Sequence, residues 1–367
     1  MFGMGRSGTP VRAKRSGGGV AVTGAAGELG SRVAARLVES GECTRVVGID
    51  TARGDVTGVT WRRADVRDPT LRTKLAGVET VVHLANDRRP DASPIDRRIV
   101  NVRGTENVIA AAAAADVTRV VLLTSAMVYG ADAASPVPLP DDSPVRAEPD
   151  LSLIGDWVEM ERLAGLAGRG ADPLDVVSVR PAPVVGSDTD AMVTRLFEAP
   201  RLLAIRGAST KWQFCHVDDL VDALVLAALR KVDGPLTVAS PGWLPHDEVE
   251  RITGLRSVVV PAAMAFGTAE RLYRVGVLSA PPASELSYLA DSWVVGADRL
   301  HAAGWSAKWD NAAALTAHVE ALGDRSGRGF VRVPGKEATR AAAGATVAVV
   351  GAVAIARARA ARRRRRG

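Results

Sequence analysis

Three glycines near the start of the chain have the spacing of a phosphate-binding loop. Gly24, Gly27 and Gly30 follow the apolar run Val20–Thr23 and open a segment with helical periodicity. In such a loop the first glycine permits a tight turn, the second lets the backbone approach a pyrophosphate, and the third lets helix and strand pack closely. The N-terminus of the following helix adds free N–H groups and a positive dipole end. The sequence therefore predicts a dinucleotide site here.

An acidic residue follows at the distance that such a site requires. Asp50 ends the next predicted strand, 20 residues after Gly30, where a carboxylate can bind a ribose 2′-hydroxyl. The same carboxylate repels a 2′-phosphate, so Asp50 favours NAD over NADP. Arg53 lies close to it, and its two interpretations, a solvated loop charge and a phosphate contact, both stay open.

Short β-branched runs alternate with longer Ala-rich segments, and the strands and helices that they predict must position the glycine loop and Asp50. The predicted strands are Val20–Thr23, Val46–Asp50, Val59–Ala64, Thr80–Leu84, Arg119–Thr124 and Asp175–Arg180. The predicted helices are Glu28–Ser40, Leu71–Leu75, Ile95–Ala115, Ile154–Leu166 and Val217–Leu229. The pattern is typical of βαβ units and predicts an α/β fold with a Rossmann-type doubly wound parallel sheet.

The chain divides by composition into five predicted parts. They are a flexible basic leader (1–19), an NAD(P)-binding Rossmann domain (20–180), a smaller substrate lobe (181–323), a linker (324–340) and an apolar segment with an Arg-rich tail (341–367). Five prolines between Ser135 and Pro149 predict a loop that passes over the strand ends. After Pro181 the regular alternation weakens, and one clear helix is predicted there.

Charge separates the tails from the body. The net charge is +6, yet residues 1–19 carry four basic residues and no acid, and residues 324–367 carry twelve basic residues and two acids, which leaves −8 for the body. A nucleic-acid-binding body is thereby excluded. Two cysteines give neither a disulfide framework nor a metal-binding spacing, and no apolar signal segment begins the chain. We expect no metal site and a cytoplasmic location.

Several motifs in order resemble the extended short-chain dehydrogenase/reductase family, in its NAD-dependent epimerase/dehydratase group, over about residues 20–320. They are Thr23–Gly30, Asp65–Val66, His83–Ala85, Asn101, Thr124–Gly130, Arg180–Pro181 with Val185–Gly186, and His216–Asp219. The resemblance implies an NAD(P)-dependent oxidoreductase or epimerase. It assigns cofactor contacts to Gly24, Ala26, Gly27, Glu28, Leu29, Gly30, Asp50, Asp65, Val66, Leu84, Ala85, Asn101 and Pro181.

The chain departs from this family at the catalytic pair. Members use a tyrosine whose pKa is lowered by a lysine four residues later. The positions four residues after Tyr129, Tyr273 and Tyr288 hold Ala133, Val277 and Ser292. When the Glu-x-Glu-Arg-Leu stretch is aligned with the family's helix, Leu153 takes the tyrosine position and Trp157 the lysine position. Neither side chain exchanges a proton at neutral pH.

Other side chains are therefore candidates for the chemistry. Ser125 matches the family serine that hydrogen-bonds a substrate carbonyl or hydroxyl, and Tyr129 is the tyrosine nearest to it; packing roles for both stay open. The remaining titratable candidates, each with a structural alternative, are Asp156, Glu159, His83 and His216.

The substrate positions depart as well. The resemblance implies an asparagine where Pro183 stands and a diphosphate-binding arginine where Trp212 stands. Because a buried diphosphate without its cation is costly, these changes argue against a nucleotide sugar, although Lys211 can supply a point charge. We expect a small-molecule substrate, sugar-like or another alcohol or carbonyl compound.

The C-terminal tail offers a membrane contact or a solvated, partner-binding helix. Sixteen apolar residues, 341–356, precede an Arg-rich end, but their helix spans only ~24 Å, less than the ~30 Å bilayer core. Contact with anionic lipid is the membrane alternative. Two functions stay open: an atypical oxidoreductase or epimerase, and a non-catalytic dinucleotide sensor or scaffold. A homodimer is an open alternative for the assembly.

Overall fold

A seven-stranded parallel sheet forms the centre of the molecule. The computed structural model describes residues 18–89, 92–169, 173–186, 194–199, 201–274 and 283–326. The sheet order is β10-β6-β5-β4-β1-β2-β3, with β1 (Gly19–Thr23), β2 (Arg45–Asp50), β3 (Val59–Arg63), β4 (Thr80–His83), β5 (Arg119–Leu123), β6 (Asp175–Pro181) and β10 (Leu236–Val238). The order reverses at β1, as in a doubly wound sheet. The predicted α/β fold class is confirmed.

Helices cover the sheet. Those of the first half are α1 (Glu28–Ser40), α2 (Leu71–Lys74), α3 (Pro94–Arg98), α4 (Gly104–Ala114) and α5 (Leu153–Ala167). The predicted helix Ile95–Ala115 is not continuous, because a π-helical turn, Ile99–Arg103, separates α3 from α4. Buried apolar side chains of α2 and α4 pack on one part of the sheet, while those of α1, α5 and a later helix, α6 (Val217–Ala228), join a larger cluster that extends into the C-terminal lobe.

The C-terminal half holds more regular structure than its sequence predicts. Its helices are α6 (Val217–Ala228), α7 (His246–Thr253), α8 (Ala262–Arg274), α9 (Ala283–Ala290), α10 (Asp298–Ala302) and α11 (Asn311–Ser326), and its small sheets pair β7 (Val184–Val185) with β9 (Cys215–His216) and β8 (Leu202–Ile205) with β11 (Ser257–Val260). α7 and α10 are too short to show a clear period. Strand β10 pairs with β6, so residues beyond 180 complete the central sheet.

The proline-rich loop is tied to the C-terminal half, which explains how it keeps its place over the strand ends. Leu139 exchanges backbone hydrogen bonds with Val294 (2.7 Å) and Gly296 (3.1 Å). The buried Asp141 carboxylate accepts hydrogen bonds from the Thr237 hydroxyl (2.7 Å) and the Arg299 amide (2.9 Å). The predicted loop is thus fixed to the C-terminal half by backbone and side-chain hydrogen bonds.

The described part of the chain begins just before β1 and ends with α11. Strand β1 begins at Gly19 and α11 ends at Ser326. The predictions for 1–17 and 327–367, including the apolar segment and Arg-rich tail, lie outside the described residues. Among the helices that the structure describes, none is long and apolar enough to cross a membrane.

Candidate functional site

The loop between β1 and α1 has a backbone that only glycine fits at two positions. Gly24 has φ +69°, and a Cβ there would meet the Ala85 amide nitrogen at 2.9 Å. A Cβ on Gly30 would meet the Gly24 carbonyl oxygen at 2.0 Å. The Gly27 amide closes the turn by donating to the Gly24 carbonyl (3.1 Å). This is the compact cradle that a pyrophosphate requires.

Asp50 ties the cradle to the end of β2. One carboxylate oxygen accepts a hydrogen bond from the Ala26 amide (3.0 Å). Helix α1 begins at Glu28, and Gly27 before it provides no side-chain cap. The first turn, with Glu28 and Leu29, therefore presents its positive dipole end at the loop. The residues fit the phosphates and one ribose of a dinucleotide.

The adenosine end of the predicted site lies beyond β2 and β3. The Asp65 carboxylate is paired with Arg67 (2.6 Å), whose hydrogen bonds hold the pKa of Asp65 below its usual range. The Val66 carbonyl accepts a hydrogen bond from the Asn107 side chain (2.7 Å). A cavity of about 360 Å³ opens nearby, and Ala52, Arg53, Val59, Trp61, Arg62 and Arg63 line it.

His83 fixes the end of β4 beside the glycine loop. Its ring nitrogens lie 2.7 Å from the Thr23 hydroxyl and 3.1 Å from the Thr105 hydroxyl. Complete burial lowers the pKa of His83 to about 4. The Leu84 and Ala85 amides also point to the Thr23 hydroxyl, at 3.3 and 3.4 Å. His83 therefore has the contacts of a structural histidine.

Ser125 stands where β5 ends, next to β4. Its hydroxyl accepts a hydrogen bond from the Met127 amide (3.2 Å), which starts a 3₁₀ turn over Ala126–Tyr129. The side chain of Asn86, from the loop after β4, donates to the Leu123 carbonyl (3.3 Å). Ser125 and Asn86 thus lie at the carboxyl end of β5, the edge at which parallel α/β sheets bind their ligands.

Tyr129 is enclosed below that turn. Its hydroxyl donates to the Asp141 carbonyl (2.8 Å) and accepts from the Arg180 guanidinium (3.0 Å). Burial raises the pKa of Tyr129, and the Arg180 cation does not offset this effect. The phenol oxygen of Tyr129 already donates one hydrogen bond and accepts another, and its pKa is raised. Tyr129 is therefore a poor proton carrier. The geometry favours the packing role that the sequence left open.

A buried carboxylate network joins α5 to the preceding helix α3. The fully buried Asp156 accepts hydrogen bonds from Arg97 (2.8 Å), Arg98 (3.3 Å) and Asn101 (3.2 Å). Burial raises the pKa of Asp156, and the Arg97 contact opposes that rise. Asn101 also exchanges hydrogen bonds with the Asp87 backbone. Asp156 thus joins α5 to α3 and the π-helical turn, which is a structural role.

The positions of the missing pair lie on the inner part of the same helix. Leu153 is half-buried at the first turn, and Trp157 is 6% exposed. The Trp157 indole nitrogen is buried and finds no hydrogen-bond partner among the described residues. Glu159 points outward to Arg162 (2.7 Å), as expected for a solvated helix face.

Aromatic side chains surround Trp212, one of the two predicted substrate positions. Trp212 is buried, donates to a ring nitrogen of His246 (3.2 Å) and stacks near Phe214. Lys211 lies over the Trp243 ring, 5.8 Å from its centre. His216 stacks on Trp309 with ring centres 3.9 Å apart, and burial lowers its pKa.

Pro181, a predicted cofactor contact, is the last residue of β6 and pairs with Val238. The position therefore lies at the carboxyl edge of the sheet.

Sequence reasoning missed the roles of Asn86, Arg97 and Glu161. Only an unusual burial of polar side chains marks them, and burial depends on the folded chain.

A parallel sheet with a glycine cradle at the β1–α1 turn and an acid at the end of β2 defines a Rossmann-type dinucleotide-binding protein. The model of the NAD dependent epimerase/dehydratase family matches residues 20–238, and the chain belongs to this family. It is an NAD-binding, epimerase-like oxidoreductase of the extended short-chain dehydrogenase/reductase group.

The chain is also similar to several known proteins. An uncharacterised protein of Mycobacterium tuberculosis is 27% identical over 316 residues, which cover 83% of this chain and 84% of that protein. Short-chain dehydrogenase/reductase family 42E member 1 of Xenopus laevis is 28% identical over 57% of this chain and 58% of its own length. MoeE5, solved in complex with UDP-glucose and NAD, is 26% identical, with a TM-score of 0.61 and coverage of 85% of this chain and all of MoeE5.

Proposed function

We propose that the protein transfers a hydride between NAD and a hydroxyl-bearing or carbonyl carbon of a small molecule held against Ser125. The observation that carries this proposal is the position of the Ser125 hydroxyl at the end of β5, close to the β4 end that borders the glycine cradle. NAD held by the glycine cradle and Asp50 would supply the hydride acceptor or donor. The protein's own residues would bind and orient the substrate.

Ser125 is proposed to handle the substrate oxygen. In the oxidation direction the C–H bond breaks with its electron pair, the carbonyl forms, and the hydroxyl proton leaves through Ser125 to water. His83, Tyr129 and Asp156 are already engaged in two or more hydrogen bonds each. In this proposal Ser125 replaces the tyrosine of lowered pKa that other family members use. Its hydroxyl would stabilise the negative charge that develops on the substrate oxygen by donating a hydrogen bond to it.

We propose NAD as the cofactor in preference to NADP, because the Asp50 carboxylate at the end of β2 would face a 2′-phosphate. Repulsion between these anions is the physical basis. The Ala26 amide holds this carboxylate in place (3.0 Å).

The substrate is proposed to lack a diphosphate. MoeE5 binds UDP-glucose, which makes nucleotide sugars the reference class. In this chain Trp212 fills the arginine position and is enclosed by Phe214 and His246. Lys211 instead contacts the Trp243 ring. Free sugars, polyols and other uncharged alcohols fit a cleft built in this way.

The enclosure of His83, Tyr129 and Asp156 also favours a second candidate, a dinucleotide sensor that binds NAD without turnover. The two candidates separate on one measurement, the formation of NADH by the NAD-loaded protein in the presence of alcohols.

The test of the enzyme proposal combines a substrate panel with a serine substitution. NADH formation is measured with sugars, polyols and UDP-glucose. We expect turnover of an uncharged member, and Ser125→Ala lowers kcat by about 100-fold while NAD affinity stays unchanged. Ser143→Ala, on the proline-rich loop, is the matched control. Undiminished turnover in Ser125→Ala would refute the serine role, preference for UDP-glucose would refute the substrate class, and no turnover in the panel would favour the sensor.

A further inference from the structure

A tyrosine of the C-terminal lobe reaches the turn that follows Ser125. The hydroxyl of Tyr288, on α9, donates a hydrogen bond to the carbonyl of Met127. The Tyr288 side chain is 5% exposed, and its ring meets Trp293 edge-on, with ring centres 5.2 Å apart. The indole N–H of Trp293 in turn donates to the Tyr288 carbonyl (3.1 Å). Tyr288 is therefore held at its ring and at its backbone while its hydroxyl contacts the turn after β5.

Met127 connects this hydroxyl with Ser125. Its amide donates to the Ser125 hydroxyl oxygen (3.2 Å), and its carbonyl accepts from Tyr288 and from the Gly130 amide (3.1 Å). A further bond within the turn joins the Val128 amide to the Ser125 carbonyl (3.2 Å). A single 3₁₀ turn has few hydrogen bonds of its own, and their geometry is poorer than in an α-helix. A contact from outside the turn therefore contributes a large share of what holds it in place.

The position of the turn determines where the Ser125 proton points. A serine hydroxyl has one hydrogen to donate and two lone pairs that accept. The Met127 amide occupies one of these lone pairs, so the O–H bond is directed away from that amide. Loss of the Met127 contact would free the hydroxyl to rotate. The proton would then spend less time in the direction that donation to a substrate oxygen requires.

Tyr288 is suited to hold the turn and unsuited to exchange a proton. Burial raises the pKa of Tyr288, and the charge of Asp150 adds to this rise. The phenol therefore keeps its proton at neutral pH and remains a hydrogen-bond donor to the Met127 carbonyl. A constant donor of this kind can fix a backbone turn but does not replace the tyrosine of lowered pKa.

We propose that Tyr288 is a positioning residue for the reaction: its hydroxyl fixes Met127, and Met127 in turn orients the Ser125 hydroxyl toward the substrate oxygen. The contacts from Tyr288 to Met127 and from Met127 to Ser125 carry this inference, which rests on the proposed role of Ser125. It gives the C-terminal lobe a part in catalysis, because α9 must be docked at the end of β5 for Ser125 to be oriented.

The test is Tyr288→Phe in the full chain, which removes the hydroxyl and keeps the ring against Trp293. With NAD and the alcohol that the panel of sugars and polyols identifies, we expect kcat to fall about tenfold, the equivalent of one hydrogen bond, while KM and NAD affinity stay unchanged. The matched control is Thr210→Val. The Thr210 hydroxyl donates to the Leu289 carbonyl (2.6 Å), so this variant also removes one hydrogen bond to α9, but that bond does not reach the turn. We expect it to leave kcat unchanged.

A double substitution separates positioning from a general structural role. If Tyr288 acts through Ser125, Tyr288→Phe has no effect on the residual kcat of Ser125→Ala. If the tyrosine only stabilised the lobe, the same loss would appear in both backgrounds, and that result would overturn the proposal. An undiminished kcat of Tyr288→Phe beside an active wild type would overturn the role of Tyr288 alone. A wild type without turnover on the panel would refute the proposed function and the role of Tyr288 with it.

A second measurement needs no turnover. In the wild-type chain the Met127 amide, bonded to Ser125, is expected to exchange with deuterium much more slowly than an unstructured amide. Its exchange should be faster in Tyr288→Phe and unchanged in Thr210→Val. An equal rate in Tyr288→Phe and wild type would contradict the contact. A wild-type Met127 amide that exchanges like an unstructured one would contradict it even if Tyr288→Phe does not fold.

Discussion

Replacing Glu161 by glutamine would remove the charge at the centre of a buried network beneath the cleft. The carboxylate accepts hydrogen bonds from Thr124 (2.6 Å), Ser178 (2.8 Å) and two nitrogens of Arg180 (2.9 and 2.7 Å). The Glu161 and Arg180 side chains are 6% and 9% exposed. Glutamine keeps the shape and one acceptor oxygen, but it leaves the Arg180 cation without a counter-charge.

The expected loss is about 3–5 kcal/mol of unfolding free energy, the cost of breaking a buried ion pair by removing one partner. This is a large share of the roughly 5–15 kcal/mol that holds a typical domain. Burial raises the pKa of Glu161, but the Arg180 hydrogen bonds outweigh it and leave the pKa below its usual 4.5. The stabilisation is therefore present above pH 4.5 and declines as the pH falls through the lowered pKa.

The measurement is chemical denaturation at neutral and acidic pH, followed by circular dichroism. Glu159→Gln is the matched control, because Glu159 lies on the same helix and its partner Arg162 is half exposed; we expect a change below about 0.5 kcal/mol. The pair Glu161→Leu with Arg180→Met should recover much of the loss, since no lone charge remains. If Glu161→Gln unfolds within 0.5 kcal/mol of the wild type, the reasoning is refuted.

Two further predictions concern charge at the cofactor end of the sheet. Asp50→Asn keeps an acceptor for the Ala26 amide but removes the charge that faces the 2′-position of the ribose. The ratio of NADP to NAD affinity should therefore rise about tenfold in paired titrations, with Asp55→Asn as control. An unchanged ratio would contradict the assignment of Asp50. The pKa of His83 is about 4 in the folded chain and 6.5 in a free side chain. The unfolded chain therefore binds a proton first, and the free energy of unfolding of the wild type should fall by about 3 kcal/mol between pH 6.5 and 4. A His83→Gln variant whose unfolding free energy falls equally with pH would contradict this.

The sequence predicts the first half of the fold well because each element there is locally determined. The strand Val20–Thr23 and the helix Glu28–Ser40 agree with the structure within a residue. Continuous β-branched runs and a single period of 3.6 residues specify such elements without tertiary information. The break at Ile99–Arg103 was not predictable, because the helical pattern continues through it and the Asn101 contacts to Asp87 and Asp156 form only in the folded chain.

The candidate site divides in the same way. Glycine spacing locates the cradle, since backbone geometry alone requires Gly24 and Gly30. The roles of Tyr129, Asp156 and Trp157 depend on which groups surround them, and a linear pattern contains no such information. The structure pairs the side chains of Tyr129 and Asp156, whereas the indole nitrogen of Trp157 has no hydrogen-bond partner within the part of the chain that the structure describes.

The anchoring of α5 explains how the helix keeps its place without the tyrosine and lysine. The ion pair of Asp156 with Arg97 holds α5 to α3, and the ion pair of Glu161 with Arg180 holds α5 to β6. Neither ion pair involves residue 153 or 157, so those two positions can change without releasing the helix. The position of α5 therefore depends on residues other than 153 and 157. Leu153 and Trp157 bring no proton-exchanging group to this helix, and its anchoring does not require one.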